Sequence, residues 1–182
     1  KNGETVALVR YPHGGTFEIP ILTVNNKQAE ARRILGNTPK DAIGINSKVA
    51  ERLSGADFDG DTVMVIPCNS GKSKVKITST PPLKGLEGFD PKLEYGGKPA
   101  GTFKPMKNTQ KEMGVISNLI TDMTLKGATQ DELARAVRHS MVVIDAEKHK
   151  LDYKQSEIDN GISSLKKKYQ GTVDEDGRYH EG

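Results

Sequence analysis

The sequence predicts an α+β fold: a small closed β-barrel of about six strands, followed by a helical segment. Three observations carry this. The first 80 residues alternate short β-branched or apolar runs with Gly, Pro and Asn clusters, residues 81–107 are rich in Pro and Gly, and residues 108–170 show helical periodicity. Five or six short strands are enough to close a small barrel, and closure spares an isolated sheet the need for another cover.

The expected strands are "TVALVRYP" (5–12), "TFEIPILTV" (16–24), "DAIGI" (41–45), "TVMVIP" (62–67) and "KVKITS" (74–79). Between them, "NNKQAEARRILGN" (25–37) carries Ala29, Ile34 and Leu35 on a short connecting helix closed by Gly36-Asn37. "NSKVAERLSG" (46–55) begins with a capping residue and reads as about two helical turns. Residues 1–80 therefore form the expected barrel domain, and 81–107 an extended arm rather than a packed element.

In residues 108–127, Met113, Ile116, Ile120, Met123 and Leu125 approximate one apolar face, and Gly127 terminates the helix. The stretch 129–153 opens with Thr129 and Glu132 at capping-box spacing, and Leu133, Ala136, Val137, Met141, Ile144 and Ala146 line one side. Residues 155–169 suggest a third, shorter helix within a helical segment of 108–170. The polar tail 171–182 is expected to be disordered.

Composition sets further bounds. With 34% hydrophobic and 28% charged residues, no Trp and a mean hydropathy of −0.59, the core should be modest. The chain opens on Lys1 rather than Met, as an excised piece of a longer protein or a processed terminus would. No signal peptide is evident, and no apolar run approaches the roughly 20 residues of a membrane span. A single cysteine, Cys68, precludes an internal disulfide and suits a reducing cytoplasm. Net charge is only +3, but residues 72–112 hold nine lysines (72, 74, 76, 84, 92, 98, 104, 107, 111) against Glu87, Asp90, Glu94 and Glu112. Such a stripe suits either a solvated surface or a phosphate backbone.

The chemistry concentrates in "SGADFDGDTV" (54–63), where Asp57, Asp59 and Asp61 alternate with Phe58 and Gly60. On a plain strand alternate side chains stand about 6.6–7 Å apart on one face. Gly60 allows the backbone to curl, so that three carboxylates converge and repel unless a cation sits among them. Convergent oxygen ligands favour a hard divalent ion such as Mg²⁺. A solvated acidic turn is the plain alternative, weakened by Phe58 and the apolar run 63–66. An EF-hand needs Gly at the sixth position and Glu at the twelfth, where this chain has Thr62 and Cys68. A haloacid-dehalogenase-type phosphatase carries Asp-x-Asp-Gly-Thr after an apolar strand, whereas here Asp61 replaces the Thr and polar "ERLSGA" precedes.

"SGADFDGD" resembles the catalytic motif of two-barrel RNA polymerases. It is similar to the "NADFDGD" of the largest subunit of multisubunit enzymes and to the "SGxDxDGD" of eukaryotic-type cellular RNA-dependent RNA polymerases and their phage and bacterial relatives. Upstream, "VALVRYPHGG" (6–15) resembles that family's segment with Arg, Pro and His before the metal loop. Downstream, Gly114, Ser117 and Asn118, then Asp145 and Lys148, are similar to a "G-x-x-S-N" helix and a following helix ending in Asp and Lys in the single-chain branch. His149 and Lys150 depart from the Thr-Gly pair of many relatives.

The resemblance covers residues 5 to about 152 and implies a double-psi β-barrel. It implies Asp57, Asp59 and Asp61 as catalytic ligands of Mg²⁺ (or Mn²⁺) in a two-metal nucleotidyl transfer. Arg10 and His13, with Asn118 and Lys148, are the expected substrate contacts, and Lys104, Lys107 and Lys111 the expected contacts with the nucleic-acid backbone. The implied partners are an NTP, an RNA- or DNA-template with its RNA product, and a first barrel that this chain has no room to contain. A cytoplasmic setting, encoded by a phage or mobile element, is the expected source. A non-catalytic double-psi barrel that binds protein or nucleic acid is the reading from another class.

Overall fold

The computed structural model describes residues 1–10, 15–53 and 60–180, and the chain divides into two compact units, Lys1–Pro82 and Leu83–Gly182. In the first, the β-branched run TVALVR forms β1 (Thr5–Arg10), flanked by β2 (Ile21–Thr23) and β3 (Val63–Pro67) in the order β2-β1-β3. Both pairings are antiparallel, with Val6 opposite Leu22, Ala7 opposite Ile66 and Arg10 opposite Val63. Consecutive residues Ala7 and Leu8 are 0% and 1% exposed, so both faces of the central strand are covered. Phe17, Ala50, Leu53 and Cys68 are buried in the same unit.

Helix α1 (Ala29–Leu35) starts where the Gln28 side chain accepts the Ala31 N–H, and α2 (Ser47–Arg52) where the Asn46 side chain accepts the Lys48 N–H. Arg52, closing α2, donates from Nε to the Phe17 carbonyl at 2.8 Å and from Nη2 to the Thr80 carbonyl. One guanidinium thus ties the helix to two loops.

Among the described residues the sheet has three strands and does not close. The expected strand at 16–24 opens instead as a 3-10 turn, Thr16–Glu18, and pairs only beyond Pro20, which has no N–H for a ladder although its carbonyl accepts from Leu8 at 3.1 Å. Residues 41–45 form no strand; Asp41 and Gly44 are poor strand formers, and Ile43 is 50% exposed. Nor do 74–79. There Asn69 stands in for a neighbouring strand: its side-chain carbonyl accepts the Ile77 N–H at 2.9 Å and its amide donates to the Ile77 carbonyl at 2.8 Å.

The second unit holds α3 (Pro91–Tyr95), α4 (Thr109–Leu125), α5 (Gln130–His149), α6 (Tyr153–Asp159) and α7 (Ile162–Gln170), so the fold is α+β with seven helices among the described residues. Helix α5 packs against the other four and buries Ala136, Val137, Val142, Val143 and Ala146. The expected arm at 81–107 is packed rather than extended. It contains the turn Lys84–Leu86 and α3, and buries Phe89, Tyr95 and Met106 against Val142 and Leu151. A Cβ on Gly85 would lie 2.7 Å from that of Ala134, so glycine lets this turn approach α5. On α4, Leu119 takes the buried place assigned to Leu125, which is 81% exposed.

The single helix expected at 155–169 is two, broken at Asn160-Gly161, with Gly161 left-handed at φ +62°. The tail expected to be disordered forms a hairpin, β4 (Thr172–Val173) with β5 (Tyr179–His180), anchored by Asp174 on the Arg178 N–H. No helix among the described residues is long and apolar enough to cross a membrane.

In this unit the buried groups Glu132 and His139 have hydrogen-bond partners. The capping box forms, with Thr129 N–H on Glu132 Oε2 at 3.0 Å and Glu132 N–H on Thr129 Oγ1 at 3.3 Å. Glu132 also accepts Lys168 Nζ at 2.5 Å and Tyr169 OH at 2.6 Å. Lys168 first, then Tyr169, hold its carboxyl at about 2, well below the usual carboxylate range. His139 is buried, with Nδ1 3.0 Å from Ser156 Oγ, which Asn160 Nδ2 reaches at 3.3 Å.

Burial lowers the His139 pKa to about 4; Glu157 opposes this, while Lys166 and Lys154 add to it. Between about 6.5 and 4 only the unfolded chain protonates this ring, so acid favours unfolding in that window. Denaturant titrations should show unfolding free energy falling by on the order of 2 kcal/mol from pH 6.5 to 4.5. His139→Gln should flatten that slope, and an unchanged slope would mean that the folded protein carries no neutral buried ring. Lys150, at φ +56°, occupies the left-handed position that closes α5, where a side chain is strained. Lys150→Gly should therefore raise stability by about 1 kcal/mol, read as a higher Tm.

Candidate metal and nucleotide site

Strands β1 and β3 bring two of the motif segments together. Because Arg10 pairs in register with Val63, the end of β1 lies beside the residues that lead into β3. Arg10 Nε donates to Asp61 Oδ1 at 2.7 Å, with the side chains 16% and 15% exposed. Largely withdrawn from water, such a pair is stronger than a surface bridge and costly to break from one side. Gly60, just before it, has φ +114°, and a Cβ there would meet nothing within 4 Å. The backbone conformation by itself asks for glycine, and among the described residues nothing crowds the position.

Arg10 and Asp61 line a cleft of ≈750 Å³ together with Lys40, Asp41, Leu53 and Thr62. Residues of the loop 39–45 line it, so the segment expected to be a strand, 41–45, supplies Asp41 to the cleft, and Lys40 stands just before it. Sequence reasoning missed Lys40 and Asp41; their only signal was a Pro-Lys-Asp turn ahead of an apolar run.

Asp57, Asp59 and His13 lie outside the described residues. Among the described residues no group of three or more His, Cys, Asp or Glu side chains is placed to hold a metal. Asp61 fits the expected donor set as one hard oxygen ligand at the cleft, its charge matched by Arg10.

The remaining candidates lie in the second unit, and all are exposed: Lys104, Lys107, Lys111, Asn118 and Lys148. Lys111 and Asn118 share the solvent face of α4, two turns apart or about 10.5 Å along the axis. Lys148, in the last turn of α5, adjoins the start of α4, because Thr109 Oγ1 donates to Glu147 Oε2 at 2.8 Å. Among the described residues nothing comes within 4 Å of a Cβ on Gly114, so packing between described helices does not account for it.

No family model, curated protein or solved structure matches this chain.

A double-mutant cycle tests the central pair. Arg10→Met and Asp61→Asn should each destabilise the protein by about 1–3 kcal/mol, and their effects should couple by more than about 1 kcal/mol. Additive losses would mean the two groups do not depend on each other.

Proposed function

We propose that the chain is the metal-binding portion of a two-barrel RNA polymerase, serving Mg²⁺-dependent nucleotidyl transfer from an NTP to an RNA 3′-OH on a nucleic-acid template. The observation that supports this best is the 2.7 Å Arg10–Asp61 contact. It joins, across one antiparallel register, the two segments that separately resemble the family's sugar-contacting and metal-binding motifs. On this reading β1, β2 and β3 belong to a double-psi barrel.

Asp57, Asp59 and Asp61 would hold Mg²⁺, or Mn²⁺ in its place. The metal supplies charge neutralisation at the reacting phosphate and a lowered pKa for the attacking hydroxyl. Arg10 keeps the Asp61 charge matched at the cleft, and by the resemblance it would lie near the sugar of the incoming nucleotide. By the resemblance, His13 would contact the same substrate. Asn118 and Lys148 would reach substrate, and Lys104, Lys107 and Lys111 the template or product backbone. The first barrel, with the cations that complete the cleft, is the required partner, so this chain alone should not polymerise.

A dehalogenase-type phosphatase needs a parallel sheet with crossover helices. The antiparallel order β2-β1-β3 gives that reading no support.

Two measurements test the proposal. Magnesium should raise the Tm of this chain, corresponding to about 2.7 kcal/mol at a hundredfold excess over Kd, and Asp59→Ala should remove the rise. In the complete enzyme, Asp59→Ala should lower RNA extension by about two orders of magnitude or more. Synthesis near the wild-type level would refute the metal role.

A further inference from the structure

The first unit holds another cleft, of ≈590 Å³, lined by one face of the sheet, by α1 and by the loop 39–45. Val6 pairs with Leu22 and Leu8 with Val65, and residues two apart on a strand share a face, so these four side chains belong to the sheet's contribution. Gln28, Ala31, Arg32 and Leu35 also line the cleft, and they fall at the helical spacing that places them on one side of α1. The loop meets the helix at Gly44, where a Cβ would lie 3.5 Å from that of Ala31.

This lining is apolar but incompletely covered. No residue of α1 is buried, Ala31 and Leu35 are half-buried, and Val65 and Ile43 are 42% and 50% exposed. A seven-residue helix gains little from its own hydrogen bonds and depends on apolar contact. A cleft of this size with such a lining suits a small molecule with an apolar body.

The polar groups at the cleft are one-sided. Asn25 Oδ1 accepts the Lys27 N–H at 2.9 Å, and Gln28 Oε1 accepts the Ala31 N–H at 2.5 Å. Arg32 Nε donates to the Asn26 carbonyl at 2.9 Å, which fixes the plane of the guanidinium. The acceptors are thus consumed by the chain itself, and the amide and Nη donors are what remain for a ligand. Arg32 is the only charged residue lining the cleft among the described residues, so no carboxylate there opposes an anion. One guanidinium matches a monoanion and can meet both oxygens of a carboxylate, whereas a phosphate monoester would call for a second cation.

We propose that this cleft binds a small amphipathic carboxylate, its apolar body against Leu22, Val65 and Leu35 and its head on Arg32. The proposal does not depend on the polymerase reading, although residues of the loop 39–45 line both clefts.

Titration of the full ¹⁵N-labelled chain with octanoate, decanoate and octyltrimethylammonium, followed by amide shifts, tests it. Both carboxylates should move amides of β2, α1 and the loop 39–45, and decanoate should bind more tightly by about fourfold for each added methylene. The cation should not bind. Arg32→Gln, at an exposed position, should weaken octanoate about tenfold. Ile43→Asp, which sets a like charge at the cleft, should abolish binding while the amide spectrum stays folded. Wild-type affinity in Arg32→Gln, equal binding of the cation, shifts spread over both units, or no shift with decanoate would each overturn the proposal.

Discussion

A carboxylate five-sixths withdrawn from water needs a cation at hand, and the first unit is arranged around meeting that need for Asp61. Arg10 lies 51 residues away in sequence, so the match depends on the register of β1 with β3. A slip of one residue would turn Arg10 to the opposite face and leave the carboxylate without it. The register is in turn fixed by Ala7 opposite Ile66, in the covered middle of the central strand. Core packing and site chemistry are thus one constraint: the apolar centre of β1 sets where its polar end arrives.

The second unit meets a similar need by other means. Helix α5 is buried along most of its length and carries Glu132, His139 and Ser140 among its buried residues. Two of them take partners from other helices, Lys168 and Tyr169 of α7 for Glu132 and Ser156 of α6 for His139, while Ser140 donates to the Val137 carbonyl within α5 itself. Just past the far end of α5, Asp152 caps α6 and pairs with Lys98 at 2.7 Å. These contacts fix how α5, α6 and α7 pack on one another, because a rotated helix would leave polar groups buried without partners.

What was legible in the sequence was what depends on near neighbours. The Thr129–Glu132 box, the helical stretches of α4 and α5 and the β-branched runs of β1 and β3 all follow from spacing within a few residues. What was illegible depends on where distant chain arrives. Asn69 replaces a strand partner for Ile77, a role that no local pattern announces. The arm at 81–107 looked open because Pro and Gly dominate it, yet Phe89, Tyr95 and Met106 were its anchors and are buried. At the site, Arg10 and Asp61 could be named from their motifs, but Lys40 and Asp41 reach the cleft only through the path of residues 36–46. Asp57, Asp59 and His13, named from the same motifs, lie outside the described residues.

Three glycines separate the kinds of constraint acting on this chain. Gly60 is required by its own backbone angle, since its surroundings would admit a side chain. Gly85 is required by contact, since a Cβ would press on Ala134. Gly114 answers to neither. A helix interior asks for a side chain there, and open solvent would accept one. Fold stability therefore accounts for the first two and argues against the third, which sits between Lys111 and Asn118 on the solvent face. The same contrast holds for Lys150, where the α5 cap favours glycine and the chain places a charge instead. Where sequence choices follow the fold they describe packing; at Gly114 and Lys150 the local demands of the helices among the described residues do not account for the residue present.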